Sequence, residues 1–233
     1  MRLMPVLALL FGVAMVTTAA AQEADDPDVV VTSGESVIRT APDQAFVTLA
    51  AEARSQRPED ARVESARAMT AVRAALSGAG IADAAIRTAA YELRQEFDYV
   101  DGRQVSRGFV ANQTIEVRVD DLEQVASVID ASVAAGASAV SNIRFDLEAR
   151  RDVERQALQE AVADARARAE AAATGAGRTI ARVIRIEDQS ASRPGPPTPV
   201  MMRMAADEAA ASTPVAPGEI EIVARVQLTA ALE

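Results

Sequence analysis

The sequence predicts an α+β fold of about seven strands and three helices, in the order ββα, ββα, βα, ββ. Three observations predict it. Segments rich in β-branched residues come in adjacent pairs, not singly between helices. Three longer segments carry apolar residues at helical spacing. Each change of type is marked by Pro, Asp or Gly, the usual residues of turns and helix ends. The sheets are expected to be mixed or antiparallel, with helices packed on them. With 233 residues, 49% of them hydrophobic, the chain is long enough to bury a core without covalent staples.

Residues 1–21 read as a secretory signal peptide. Arg2 is the basic start, residues 3–16 the apolar stretch, and Ala19-Ala20-Ala21 the small-residue cleavage step, which leaves Gln22 first. The apolar stretch is short for a membrane span. No later segment is apolar enough to be one, so no transmembrane span is expected in the mature chain. Without cysteine, lipid attachment at a cysteine is excluded. Residues 22–233 are read as one domain, whose repeated ββα pattern allows two α+β lobes.

VVVTSGESVIRT and QAFVTLAAEA are two strands joined by the turn Ala41-Pro42-Asp43. Pro58, with Glu59 and Asp60 in the first turn, opens a helix. Its expected core face is Val63, Ala66, Met69, Val72 and Leu76, and Gly78 and Gly80 stop it. IRTAAYELRQEFDYV and GFVANQTIEVRV form a hairpin about Asp101-Gly102. In the return strand Phe109, Ala111, Ile115, Val117 and Val119 share a face, so one face is buried and one wetter. Asp120 or Asp121 caps the second helix, with Leu122, Val125, Val128, Ile129 and Val133 inward. Ile143, Phe145 and Leu147 mark the next strand. The third helix, about residues 152–173, has an inward line of Val153, Ala157, Ala161, Ala165 and Ala169, flanked by Leu158 and Val162. RTIARVIRIED and EIEIVARVQL are the last strands. Between them lies an insertion, residues 190–218, rich in proline and carrying Met201, Met202 and Met204.

Histidine and cysteine are absent, and every basic residue is arginine. That excludes a cysteine nucleophile, a Ser-His-Asp triad and a Cys/His zinc site. The net charge of −10 argues against nucleic acid as a partner.

The ordered motifs resemble one family. VTSGESVIRTAPDQAFVTL, with its Gly34-Glu35 and Pro42-Asp43, is similar to the opening signature of SIMPL-domain proteins. GFVANQTIEVRVDDLEQVASVIDASVAAGASAVSNIRF, the alanine-rich third helix and PGEIEIVARVQLTAAL continue the resemblance over residues 28–232. Among its members, the chain most resembles the periplasmic immunogenic proteins of bacteria. The resemblance implies a periplasmic location, a homo-oligomer, an envelope protein partner, and a role in oxidative stress defence. It implies no enzyme, and it carries over no catalytic residue, cofactor or metal ligand.

Several residues are weighed as sites. Glu35 and Asp43 could form a carboxylate pair for acid/base chemistry, or serve strand and turn geometry. Asp120 and Asp121 could hold a hard cation, or cap a helix. Gly175-Ala176-Gly177-Arg178 has the glycines of a phosphate loop but follows a helix where such a loop opens one. Tyr91, Phe97, Tyr99 and Phe109 gather on one hairpin, either as cross-strand packing, in the core or at a subunit contact, or as a platform for a small ligand. Met201, Met202 and Met204 offer adaptable apolar contacts, soft thioether ligands for Cu(I), or oxidation targets. The reading favoured is a non-enzymatic protein that self-assembles or binds a partner. The alternative is a small-ligand or copper-binding module that uses the hairpin or the methionines.

Overall fold

The structure, a computed structural model, describes residues 28–190 and 217–233. Met201, Met202, Met204 and the signal peptide lie outside the described residues. The elements are β1 (Val29–Thr40), β2 (Gln44–Ser55), α1 (Pro58–Gly78), β3 (Ile86–Val100), β4 (Arg103–Val119), α2 (Val125–Ala134), β5 (Ala139–Asp146), α3 (Arg150–Gly175), β6 (Ile180–Asp188) and β7 (Ile220–Leu232). This is the predicted order. They form two sheets, β1-β7-β6 and β3-β4-β2-β5, and every pairing is antiparallel. Neither sheet is mixed.

The four-stranded sheet packs one face against α1 and α2. Val47 and Leu49 of β2 and Ile115 and Val117 of β4 meet Met69, Val72 and Leu76 of α1 and Val125 and Val128 of α2. Three expected core positions are corrected. Val63, Ala66 and Val133 are exposed, and Ala61, Ser65 and Ser132 are buried in their helices. Both serines satisfy their hydroxyls on backbone carbonyls, Ser65 Oγ donating to Ala51 O at 2.9 Å and Ser132 Oγ to Val128 O at 2.7 Å. A small side chain whose hydroxyl is paired lets a helix lie closer than valine would. The start of α2 is also later than expected. Asp121 Oδ1 accepts from Glu123 N at 3.0 Å and caps a 3-10 turn, Leu122–Gln124, that leads into the helix.

The three-stranded sheet packs against α3. Ala157, Ala161, Ala165, Ala169 and Ala173 are the buried line of that helix, and they face Ile222, Ala224, Val226 and Leu228 of β7. Across from β7, Gly34 of β1 meets the helix backbone. A Cβ built there would lie 2.1 Å from Ala161 O and 2.4 Å from Ala165 N. Alanine on the helix and glycine on the strand therefore have one cause, a close approach of two backbones.

The chain passes between the two cores at β5. Ile143 and Phe145 pack in the first core, and Leu147, expected on the same face, is buried in the second. Asp146 fixes this crossing. Its carboxylate accepts from Leu147 N at 2.9 Å and from Arg144 and Arg150. Burial pushes this carboxyl up, and the Leu147 amide with Arg150 and Arg144 more than reverses that, leaving it below the usual carboxylate range.

Candidate functional site

The hairpin of β3 and β4 is longer than the sheet that carries it. β2 pairs with β4 only from Phe109 to Val119. Beyond Phe109 the two strands pair with each other alone, ending at Val100 and Arg103. The turn has Asp101 at φ 50° and Gly102 at φ 76°. Two successive positive φ angles match the twist of a tight hairpin, which is why Asp-Gly suits it.

Gly108 sets the base of this arm. It has φ 110°, and a Cβ there would lie 2.5 Å from Ser55 O. The ladder shifts register at this point, so that Arg107 is the extra residue between the Glu96–Gly108 and Phe97–Ser106 pairs. Such a bulge bends the ribbon and strengthens its twist.

The aromatic residues lie on the arm and where it joins the sheet. Tyr91, Leu93, Phe97 and Tyr99 alternate along one face of β3, and Phe109 lies opposite Gln95 on β4, diagonal to Leu93 and Phe97. Their cross-strand neighbours are Gln113, Ala111, Ser106 and Gln104. The aromatics thus meet across the hairpin only diagonally, at Phe109, and Tyr91, Phe97 and Tyr99 are not in the core. Tyr91 is 52%, Phe97 44% and Tyr99 75% exposed, and Phe109 is half-buried. The stripe continues the core-facing side of β4 past the point where α1 covers it. Leu93, Val100 and Val105 are exposed here too, which no feature of the sequence signals. Alternation marks which residues share a face, but not where the covering helix ends.

The charged residues weighed in the sequence are engaged in structure. The Glu35 carboxylate accepts from Arg225 Nε and Nη2, both at 3.2 Å, and the Glu35 amide donates to Asp164 Oδ2 at 3.1 Å. Asp43 Oδ1 accepts from Glu148 N at 2.7 Å. Each carboxylate therefore has its own structural partner. Asp120 accepts from Arg118 at 2.7 and 3.2 Å, while Asp121 serves the cap described above. These two line a shallow cleft with Gly80, Ile81 and Gln124. Among the described residues no group of three acidic side chains converges as a metal site. Gly177 has φ 69° and follows α3, the position of a helix-ending glycine.

Among the described residues the hairpin leaves a row of large apolar side chains exposed. Among the described residues no helix is long and apolar enough to cross a membrane.

Known proteins place the chain. It is 28% identical over 210 residues to the 26 kDa periplasmic immunogenic protein of Brucella abortus (strain S19), covering 85% of this chain and 82% of that one. It is 24% identical over 206 residues to the uncharacterized protein YggE of Escherichia coli (strain K12), covering 88% of this chain and 82% of that protein. Neither name describes an enzyme. The family model SIMPL, a protein of unknown function (DUF541), matches residues 30–230. With a match of that extent over the two-sheet fold and its projecting arm, the chain belongs to the SIMPL family.

Proposed function

We propose that this is an exported periplasmic protein that acts by association, with copies of itself or with an envelope protein, and not by catalysis. One observation carries the reading: the stripe Tyr91, Leu93, Phe97 and Tyr99 stands exposed along a hairpin whose far end, with Phe97 and Tyr99, leaves its sheet. Aromatic side chains exposed in a row along a β-ribbon are the kind of surface that interfaces use. The signal-peptide pattern and the name of the Brucella relative support the location. The assembly serves envelope defence against oxidative stress, the role the family resemblance implies.

The arm supplies its own reporter. Tyr99 lies on it and Tyr91, the other tyrosine of the chain, where it joins the sheet, and there is no tryptophan. Association is expected to raise the mass found by light scattering, or to yield an envelope partner by cross-linking, and to change tyrosine emission. Phe97→Ser with Tyr99→Ser is expected to abolish both effects with secondary structure intact. Unchanged association in that variant would overturn the arm reading. Cells lacking the protein are expected to survive peroxide poorly and to be rescued by the wild type but not by the arm variant. Equal rescue would overturn the link between association and stress.

A further inference from the structure

The three-stranded sheet has two edges, β1 and β6. The β1 edge is occupied. Thr32 Oγ1 donates to Ala165 O at 2.8 Å, and the Glu35 amide donates to Asp164 Oδ2 at 3.1 Å, so α3 closes that side. α3 lies over β1 and β7 and leaves β6 overhanging. Val183 and Ile186 of β6 pair with Ala230 and Leu228 of β7, which are buried beneath the helix. They therefore point to the helix side, yet they are 39% and 49% exposed. Each is the uncovered end of a core row.

The charges and the bulge of β6 make this edge complementary to itself. β6 carries two extra residues, Ala181 between the Ile180–Leu232 and Arg182–Ala231 pairs and Ile184 between the Val183–Ala230 and Arg185–Thr229 pairs. The bulge at Ile184 brings Val183 and Ile186 to the same face, where an unbroken strand would put them on opposite faces. Arg182 and Glu187 share the other face, opposite Ala231 and Gln227 of β7. Antiparallel pairing of β6 with a second β6 then sets Val183 against Ile186 and Arg182 against Glu187, each twice, with every pair on matching faces. Among the described residues Arg182 makes no ion pair within the chain, whereas Arg185 holds Glu187 from the same strand.

We propose that two copies of this chain join through β6, edge to edge and antiparallel about a two-fold axis. The two three-stranded sheets become one continuous sheet with both α3 helices on the same face. The shelves of Val183 and Ile186 meet in the gap between those helices. The contact is isologous, so it closes as a dimer and leaves the β3–β4 arms free. This rests on the association reading only for its premise that the protein works as an assembly; the surface is a separate one.

The test is the mass of the full processed chain, wild type and variant, by light scattering across concentration. Wild type is expected to dimerise. Arg182→Glu sets like charges opposite each other twice and is expected to weaken dimerisation about tenfold or more. Glu187→Arg is expected to do the same, and the double variant R182E/E187R to restore it. Since the chain has no cysteine, V183C/I186C is expected to give a disulfide-linked dimer under mild oxidation, a readout that stands even where a charge variant fails to fold. A monomeric wild type, single variants that dimerise normally, a double variant that stays weak, or no cross-link would overturn the inference. Association lost with Phe97→Ser and Tyr99→Ser but kept with Arg182→Glu would overturn it and leave the arm reading standing. The converse would overturn self-association by the arm and leave this dimer.

Discussion

Gly34 is where a side chain has no room. The first atom of any side chain would fall on the carbonyl of Ala161 and the amide of Ala165, both backbone groups that cannot rotate away. Gly34→Ala is therefore expected to destabilise the protein by about 3 kcal/mol, measured by urea unfolding. Glu35 beside it is a different case. Its bidentate bond to Arg225 is exposed, so Glu35→Gln is expected to change stability by less than about 1 kcal/mol. Asp146 ties stability to pH. Its carboxyl titrates lower in the folded protein than in the unfolded chain, so its contribution is complete above the unfolded pKa, about 3.9. That contribution is lost as pH falls through the lower folded value. Unfolding midpoints are expected to drop below pH 4 in the wild type, and to drop less steeply in Asp146→Asn.

At the scale of elements, α3 and the arm show opposite uses of surface. The helix buries a line of alanines so that its axis lies close to β1 and β7. Ala165→Leu would push that contact apart and is expected to cost about 3 kcal/mol of stability by urea unfolding. The arm buries little. Tyr99→Ser, at a site 75% exposed, is expected to shift stability by less than about 0.5 kcal/mol while weakening association through the arm. A thermal melt together with a light-scattering mass on the same variant checks both. β6 is intermediate: it is paired along one edge, and its apolar residues wait at the rim of the helix.

Over the whole molecule, two cores lie on either side of the crossing at Asp146 and Leu147. Leu49 is fully buried in the first and Leu228 in the second. Leu49→Ala and Leu228→Ala are each expected to cost about 3 kcal/mol. We propose that the two α+β units are separate lobes in stability as well as in packing. Hydrogen exchange would then show Leu49→Ala loosening the amides of β2 and β4 and sparing β7, with Leu228→Ala doing the reverse. Uniform loss of protection in both variants would show a single cooperative unit.

The order of elements and the hairpin turn were legible in the sequence, because they depend on local periodicity and on turn residues. So were the alanine stripe of α3 and the glycine that answers it, although only as separate facts. The core faces of α1 and α2 were partly misjudged. Ser65 and Ser132 are buried because carbonyls of Ala51 and Val128 accept from them, and composition gives no sign of such partners. The reach of β2, the position of α3 and the bulges at Arg107 and Ile184 decide which apolar residues stay in the open. By itself the sequence determined the fold class, the export signal pattern, the family signature and the lack of histidine and cysteine chemistry. Only the tertiary structure decided that Tyr91 to Tyr99 form a free stripe and that β6 overhangs its helix. Alternation along a strand records which side chains share a face, while exposure depends on how far a distant helix or strand extends over that face.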